Sequence, residues 1–298
     1  MDSAPLTYAI GDIHGRADLL DTLLERIAAH AGDRDHRLVF LGDYIDRGAD
    51  SAAVLRTVSR LNWAEPERVT CLMGNHERML LDALLTPEAA RHWLYNGGDA
   101  TLDSFGARDP SGLPSDTLDW IEALPTLHDD EVRWYVHAGL RPGTAASDSD
   151  VHDRLWIREP FLQEDHDFGR HVVHGHTPQR DGHPEVRRFR TNLDTAAVYG
   201  GALTAGVFSD AQGPALEFLQ VQAGGGSAPP KWIPVRRERA RRVEGVDVVP
   251  IASRSGANLS PPCRHQCAHS SHEPAAHEGE TADGGGHREQ GALQPGPD

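Results

Sequence analysis

Apolar positions change period along this chain, and the changes mark its elements. Leu19, Leu20, Leu23, Leu24 and Ile27 recur at helical spacing, with Gly32 placed to end the run. Val54, Leu55, Val58 and Leu61 form a second helical face, which predicts a helix from about Ser51 to Leu61. Two more helices follow His76, one up to Leu85 and one from Pro87 to Tyr95, where Pro87 suits a first turn. Another is predicted from Thr117 to Leu124. Between them lie short β-rich runs, Tyr8-Ala9-Ile10, Leu38-Val39-Phe40-Leu41 and Val69-Thr70-Cys71-Leu72-Met73. The second half is richer in strands: residues 132–136, 171–173, 188–193, 202–208 and 216–221. Gly200-Gly201 and Gln212-Gly213-Pro214 read as hairpin turns between the last three. Strands that alternate with helices and then run into a meander predict an α/β fold, two packed mixed sheets flanked by helices.

The pattern stops near Gln222. From Ile251 to Asp298 only Ile251, Leu259 and Leu293 are large aliphatics, and no aromatic occurs. Such a segment cannot bury enough area to offset the entropy of ordering. The expected division is a folded domain over residues 1–221 and a low-complexity, disordered tail over 222–298. The tail holds a basic cluster, Arg236 to Arg242, read as a solvated linker, and the run Cys263, His265, Cys267 and His269. That run matches no common zinc-finger spacing and is read as an adventitious metal binder.

Composition narrows the function. The chain has 298 residues, 38% hydrophobic content and a formal charge of −16. That balance argues against a nucleic-acid partner, which needs a basic face, but leaves a phosphorylated substrate open where bound cations set the local field. Three cysteines make no disulfide framework, and Cys71 reads as a small buried hydrophobe. Residues 1–7 carry no basic segment followed by an apolar one, and no run approaches a membrane span. A cytoplasmic protein with no membrane partner is the expectation.

The chemistry sits at the ends of the apolar runs. Asp12 and His14, two apart at an extended strand end, point the same way and can reach one ion. Asp43 follows the second run, Asn75 the third, and His137 and His176 follow later strands. Carboxylate, amide oxygen and imidazole suit hard and borderline divalent ions, and no sulfur joins them. Strands ending together bring their tips into one crevice. The pattern points to a two-metal phosphoester hydrolase.

The order GDIHG, GDYIDRG, GNHE, HAG and HGHT resembles the phosphoprotein phosphatase family of metallophosphoesterases, over about Leu6 to Val221. It is similar in style to the compact bacterial serine/threonine or broad-specificity phosphatases. The run Trp93-Leu94-Tyr95-Asn96-Gly97-Gly98, with Thr101-Leu102, shares that likeness. The resemblance implies two divalent ions, manganese in vitro or iron and zinc. Asp12 and His14 would hold the first, Asp43 would bridge, and Asn75, His137 and His176 would complete the second. It further implies that Arg47 and Arg158 grip the phosphate, that Asn75 also contacts substrate, and that His76, oriented by Asp46, protonates the leaving oxygen. Solvent activated between the ions would attack phosphorus directly, without a phosphoenzyme.

Other residues carry weaker expectations. Glu77 orients the His76 loop or is solvated. His174 is a neighbour of the ligands or simply packed. Asp194 bonds a ligand histidine or serves a turn, and His128, His152 and His166 lie exposed in polar loops. The substrate is a phosphoprotein or a small phosphorylated molecule. Symmetrical diadenosine tetraphosphate hydrolases share the scaffold but usually carry alanine at the position of Asp46 and GNHD in place of GNHE. The retained Asp46 and Glu77 therefore favour the phosphatase. An inactive scaffold with a partner-binding tail is the remote alternative, and the sequence is silent on oligomeric state.

Overall fold

The computed structural model describes residues 5–222 and the backbone at 233 and 234. The expected tail disorder, the basic cluster at 236–242 and the Cys263–His269 run lie outside the described residues.

Two mixed sheets pack face to face, as the alternation of elements predicts. The first contains β1 (Leu6–Ile10), β2 (His36–Phe40), β3 (Val69–Cys71), β9 (Ala202–Ser209), β10 (Glu217–Gln222) and a two-residue β11 (Ile233–Pro234), in the order β11-β10-β9-β1-β2-β3. The second contains β4 (Leu127–Asp129), β5 (Arg133–Val136), β6 (His171–His174), β7 (Glu185–Val186) and β8 (Arg190–Asn192), in the order β4-β5-β6-β8-β7. β1, β2 and β3 are mutually parallel, and so are β5, β6 and β8.

Side-chain alternation assigns each strand's two faces. Tyr8, Ile10, Leu38 and Phe40 turn to the helices α1 (Ala17–Ala31) and α2 (Ser51–Ala64), meeting Leu20, Leu23, Ile27, Val54 and Val58. Ala9 and Val39 turn the other way, against Tyr135, Val173 and Leu193 of the second sheet. Each large aliphatic buried in these layers contributes about 1.5–3 kcal/mol. Cys71 is buried, as expected. At the sheet ends remote from the six strand tips, the buried Arg133 guanidinium donates to Asp130 and to the carbonyls of Ser209 and Gln212, tying β5 to the β9–β10 turn.

The structure corrects the sequence reading in several places. Gly200-Gly201 is not a hairpin: β8 and β9 lie in different sheets, and the segment between them crosses from one to the other. Two glycines in a row mark a turn but not which sheet the chain enters next. The β9–β10 hairpin is as expected. After α3 (Asn75–Ala83) and α4 (Pro87–Trp93), the segment Leu94–Gly98 kinks at Gly97 and leads into α5 (Asp99–Phe105). Helix α6 spans Ser115–Glu122, and α7 (Val151–Trp156) was not foreseen. His152 is exposed but on α7, His128 lies half-buried in β4, and His166 is half-buried, its Nε2 accepting the Gly143 N–H.

Candidate metal and phosphate site

All six parallel strands end on one rim, and the segment after each brings a polar group there. Asp12 and His14 follow β1, Asp43 follows β2, and Asn75 and His76 open α3 after β3. His137 follows β5, His176 follows β6 and Asp194 follows β8. All eight are buried. Backbone strain collects here too. Among the described residues seven non-glycines have positive φ, and five are His14, Asp43, Asp46, Arg47 and His176. Such conformations persist where surroundings over-determine them.

Glu77 is one of those surroundings, so the solvated reading of it fails. Its Oε2 accepts the N–H groups of Asp43 and Gly74 at 2.8 and 2.9 Å. Its Oε1 accepts those of Tyr44 and Ile45 at 2.8 and 3.3 Å. Burial and the Asp43 carboxylate push the Glu77 carboxyl up, and these backbone donors pull it back. The turn they hold is tight. A Cβ on Gly74 would stand 2.2 Å from Asp43 Oδ1, so no larger residue fits where that carboxylate passes.

Two triads of ligand atoms meet at Asp43. His14, Asp43 and His76 form one, and Asp43, His137 and His176 the other, with atoms in each lying within 4.8 Å of one another. Asp43 Oδ2 is 3.4 Å from His14 Nε2, and Oδ1 is 3.4 Å from His137 Nε2. Asn75 Oδ1 lies 2.9 Å from both His137 Nε2 and His176 Nδ1. Neither triad includes Asp12. Its carboxylate accepts the His176 backbone N–H at 3.1 and 3.2 Å and is hydrogen-bonded to Asp194. Burial, Asp194 and Asp43 raise the Asp12 carboxyl well above its usual range.

The tautomers test whether these residues fit cations. His14 Nδ1 donates to the Ile45 carbonyl at 2.8 Å, and His137 Nδ1 to the Leu41 carbonyl at 2.9 Å. A carbonyl can only accept, so both protons sit on Nδ1. Burial holds His14 well toward the neutral form and His137 in the same direction, and it pushes His176 down to about 3, helped by His137. The Nε2 atoms of His14 and His137 are therefore bare lone pairs. Arg47 Nη1 donates to that of His14 at 2.6 Å. That of His137 faces the oxygens of Asn75 and Asp43, acceptor against acceptor. Divalent cations would turn this repulsion into ligation, and the Nδ1–carbonyl bonds are of the orienting kind that metal-ligating histidines usually make. The donor set fits.

Beside the triads lies a pair of a different kind. His76 Nδ1 and Asp46 Oδ2 are 2.6 Å apart, with both side chains almost inaccessible. Asp46 also accepts from Trp93 Nε1 and Thr101 Oγ1, neither of which the sequence reading gave a role. Burial raises the Asp46 carboxyl, and His76, Thr101 and Trp93 oppose that rise.

A cavity of about 290 Å³ opens onto these groups, lined by Asp43, Arg47, Asn75, Asn96, His76, Trp156, Arg158, His176, Pro178 and Tyr199. It thus gathers both predicted phosphate-gripping arginines. Arg158 is exposed at the end of the α7 segment, and the Arg47 guanidinium carbon lies 5.6 Å from the Tyr199 ring centre. Asn96, Trp156 and Tyr199 were not predicted. His174 is packed instead, its ring against Phe161 and its Nε2 3.2 Å from Arg190. Asp194 does not bond a ligand histidine. It accepts the Ala196 N–H within its own turn and pairs with Asp12, and burial pushes it up to about 7.

Comparison with known proteins agrees with this geometry. Residues 6–201 match the calcineurin-like phosphoesterase family. The chain is 32% identical to serine/threonine-protein phosphatase 1 of Salmonella typhimurium over 66% of its length and 89% of the relative. It is 39% identical to the symmetrical bis(5'-nucleosyl)-tetraphosphatase of Dechloromonas aromatica, over 47% of its length and 46% of that protein. Thus the match spans about half of that relative. Solved structures share the fold. A protein serine/threonine phosphatase from Saccharomyces cerevisiae superposes with a TM-score of 0.51 at 16% identity, covering 77% of this chain and 84% of that one. A cold-active protein-tyrosine phosphatase of a Shewanella species gives 0.52 at 20% identity, covering 72% and 77%.

Proposed function

The chain belongs to the calcineurin-like phosphoesterases, and on that footing we propose that it is a dinuclear-metal phosphomonoesterase acting on phosphoserine or phosphothreonine in proteins. Its Asp46–His76 pair carries the reading. A serine or threonine alkoxide is a poor leaving group and departs only if it receives a proton. A nucleotide leaving from a dinucleoside tetraphosphate departs as a stabilised phosphate anion and has little need of one. A buried, four-bonded carboxylate behind a histidine is machinery for the first case.

In this reading Asp12, His14, Asp43, Asn75, His137 and His176 hold two divalent cations, with one oxygen of Asp43 turned to each side. Two such cations, manganese in vitro, add positive charge against the phosphoryl oxygens and lower the pKa of bound solvent. The His14 lone pair that would serve a cation is the one Arg47 donates to, so with a cation held there the guanidinium would be free for the cavity that it lines. Arg47 and Arg158 then clasp phosphoryl oxygens from the rim, where a planar fork matches two oxygens at once. Asn75 stands between the ligands and the substrate. His76, its Nδ1 held by Asp46, presents Nε2 to the leaving oxygen and donates the proton there.

The second reading, a symmetrical diadenosine tetraphosphate hydrolase, draws on one observation. A groove of about 640 Å³ shares Pro178 and Tyr199 with the cavity and continues past Arg180, Gly200 and Gln222. A long substrate has room to extend along it. Assays with a phosphoserine peptide and with diadenosine tetraphosphate, both in added manganese, separate the two. Faster turnover of the peptide is expected. Exclusive cleavage of the dinucleotide overturns the phosphatase, and bound metal with neither activity points to the scaffold.

A further inference from the structure

The run Trp93–Gly98 and Thr101 stood out in the sequence, and the metal and phosphate chemistry does not use them. Trp93 ends α4, and Thr101 lies in α5, eight positions later. On one straight helix that interval is about 12 Å along the axis. Yet both side chains reach the same carboxylate. Trp93 Nε1 donates to Asp46 Oδ2 and Oδ1 at 2.9 and 3.1 Å, and Thr101 Oγ1 donates to Oδ1 at 2.6 Å.

A kink between the two helices makes this possible. Gly97 has φ 101 and ψ 15, which breaks the helix axis between the two residues. Its carbonyl accepts the Arg47 N–H at 3.1 Å, and a Cβ there would stand 2.8 Å from Arg47 Cγ. The next glycine is needed for a different reason: a Cβ on Gly98 would lie 2.4 Å from the Trp93 indole. The two glycines therefore fold the segment back so that its ends close on Asp46.

Thr101 fixes the backbone as well as the side chain. Its hydroxyl oxygen accepts the Asp46 N–H at 2.9 Å, and Ser51 Oγ accepts the same N–H at 3.1 Å. Asp46 sits there with φ 72. Asp46, Trp93, Thr101 and Ser51 are all fully buried, so no solvent can replace a lost donor. The carboxylate has donors on both oxygens and cannot rotate without breaking one.

We infer that Trp93 and Thr101 are positioning residues that clamp the Asp46 carboxylate from the two sides of the Gly97 kink and thereby aim the His76 ring at the leaving oxygen. The inference rests on the reading of His76 as the proton donor. Each donor to a buried charged group is worth about a 10- to 100-fold change when removed.

The test uses the full chain reconstituted with manganese and four variants: Trp93→Phe, Thr101→Val, Thr101→Ser and Asp46→Asn. For each, kcat and KM are measured on a phosphoserine peptide and on p-nitrophenyl phosphate, whose leaving group is a stabilised anion. Trp93→Phe and Thr101→Val are expected to lower kcat on the peptide about 10- to 100-fold. The loss on the nitrophenyl ester should be no more than about 3-fold, with KM little changed on either. Thr101→Ser keeps the hydroxyl and should recover most of the loss. Equal losses on both substrates, or no loss on the peptide, overturn the inference while Asp46→Asn still discriminates between them. If Asp46→Asn itself does not discriminate, or the parent enzyme does not turn over the peptide, the proton-donor reading fails and takes the inference with it. Thr101→Val carries the test if Trp93→Phe does not fold.

Discussion

Replacing Glu77 with glutamine changes one atom and should damage both stability and metal binding. The two carboxylate oxygens divide four backbone donors: Asp43 and Gly74 on Oε2, Tyr44 and Ile45 on Oε1. A glutamine amide offers one acceptor and one NH2 group, so either orientation sets a donor against two donors. The cheaper orientation gives up Oε1, which holds one short bond of 2.8 Å and one longer bond of 3.3 Å. A buried N–H left without an acceptor costs about 1–3 kcal/mol. The pair therefore amounts to about 2–4 kcal/mol after the Ile45 bond is discounted for its length. Against a domain stability of about 5–15 kcal/mol this is a large fraction. Burial and Asp43 push the Glu77 carboxyl up to about 8 in the metal-free protein, so urea unfolding at pH 9, where it is ionised, measures the loss, and titration with manganese should show affinity weakened about 10-fold, as when a group that orients a ligand is removed. A change below about 1 kcal/mol with unaltered manganese affinity would refute the reasoning. It would mean that Glu77 is already a neutral acid, for which glutamine is a close replica.

Chelation should abolish turnover and lower the melting temperature, with manganese restoring both; at a hundredfold excess over Kd one bound ion adds about 2.7 kcal/mol, so an unchanged melting curve would count against the site. Arg158→Ala should raise KM and lower kcat about 10-fold or more through a lost charge-assisted contact, without moving the melting temperature of a protein in which the side chain is exposed; unchanged kinetics would remove Arg158 from the phosphate grip. His171 is buried at the start of β6 and pushed down to about 4, by burial first and by Arg133 second. The folded state therefore resists a proton that the unfolded chain takes up near pH 6.5. The His171 share of stability should fall as pH drops from about 6.5 to about 4, by on the order of 3 kcal/mol, while the buried histidines of the metal site extend the decline to lower pH. His171→Asn should flatten that part of a stability–pH profile, and an unchanged profile would assign the slope to other groups.

Much of the fold was readable because hydrophobic runs and polar tips alternate so regularly. Asp12, Asp43, Asn75, His137 and His176 each follow an apolar strand, and parallel pairing then forces those ends onto one rim. The partition of strands between sheets was not readable. Gly200-Gly201 looks the same whether the chain turns back beside β8 or crosses to the other sheet, and it crosses. Likewise the helix predicted from Pro87 to Tyr95 ends at Trp93, and its pattern of apolar positions does not show the kink that the positive φ of Gly97 puts before α5.

The supports of the site were hidden for a different reason. Periodicity reports which face of an element meets the core, whereas a support bonds one polar atom to another far along the chain. Trp93 and Thr101 reach Asp46 across 47 and 55 positions. Their side chains are large or β-branched and fully buried, so a pattern of hydrophobic positions counts them as core. What separates them from core is that each carries one polar hydrogen that must find an acceptor once water is gone. For side chains this buried, the acceptors are carbonyls already used by helices, or a carboxylate brought from elsewhere. Asp46 is that carboxylate. The requirement runs both ways, because a buried anion needs donors as much as a buried indole needs an acceptor. The kinked α4–α5 segment and the Asp46–His76 pair are thus two halves of one hydrogen-bonding problem, each supplying the partners that the other lacks.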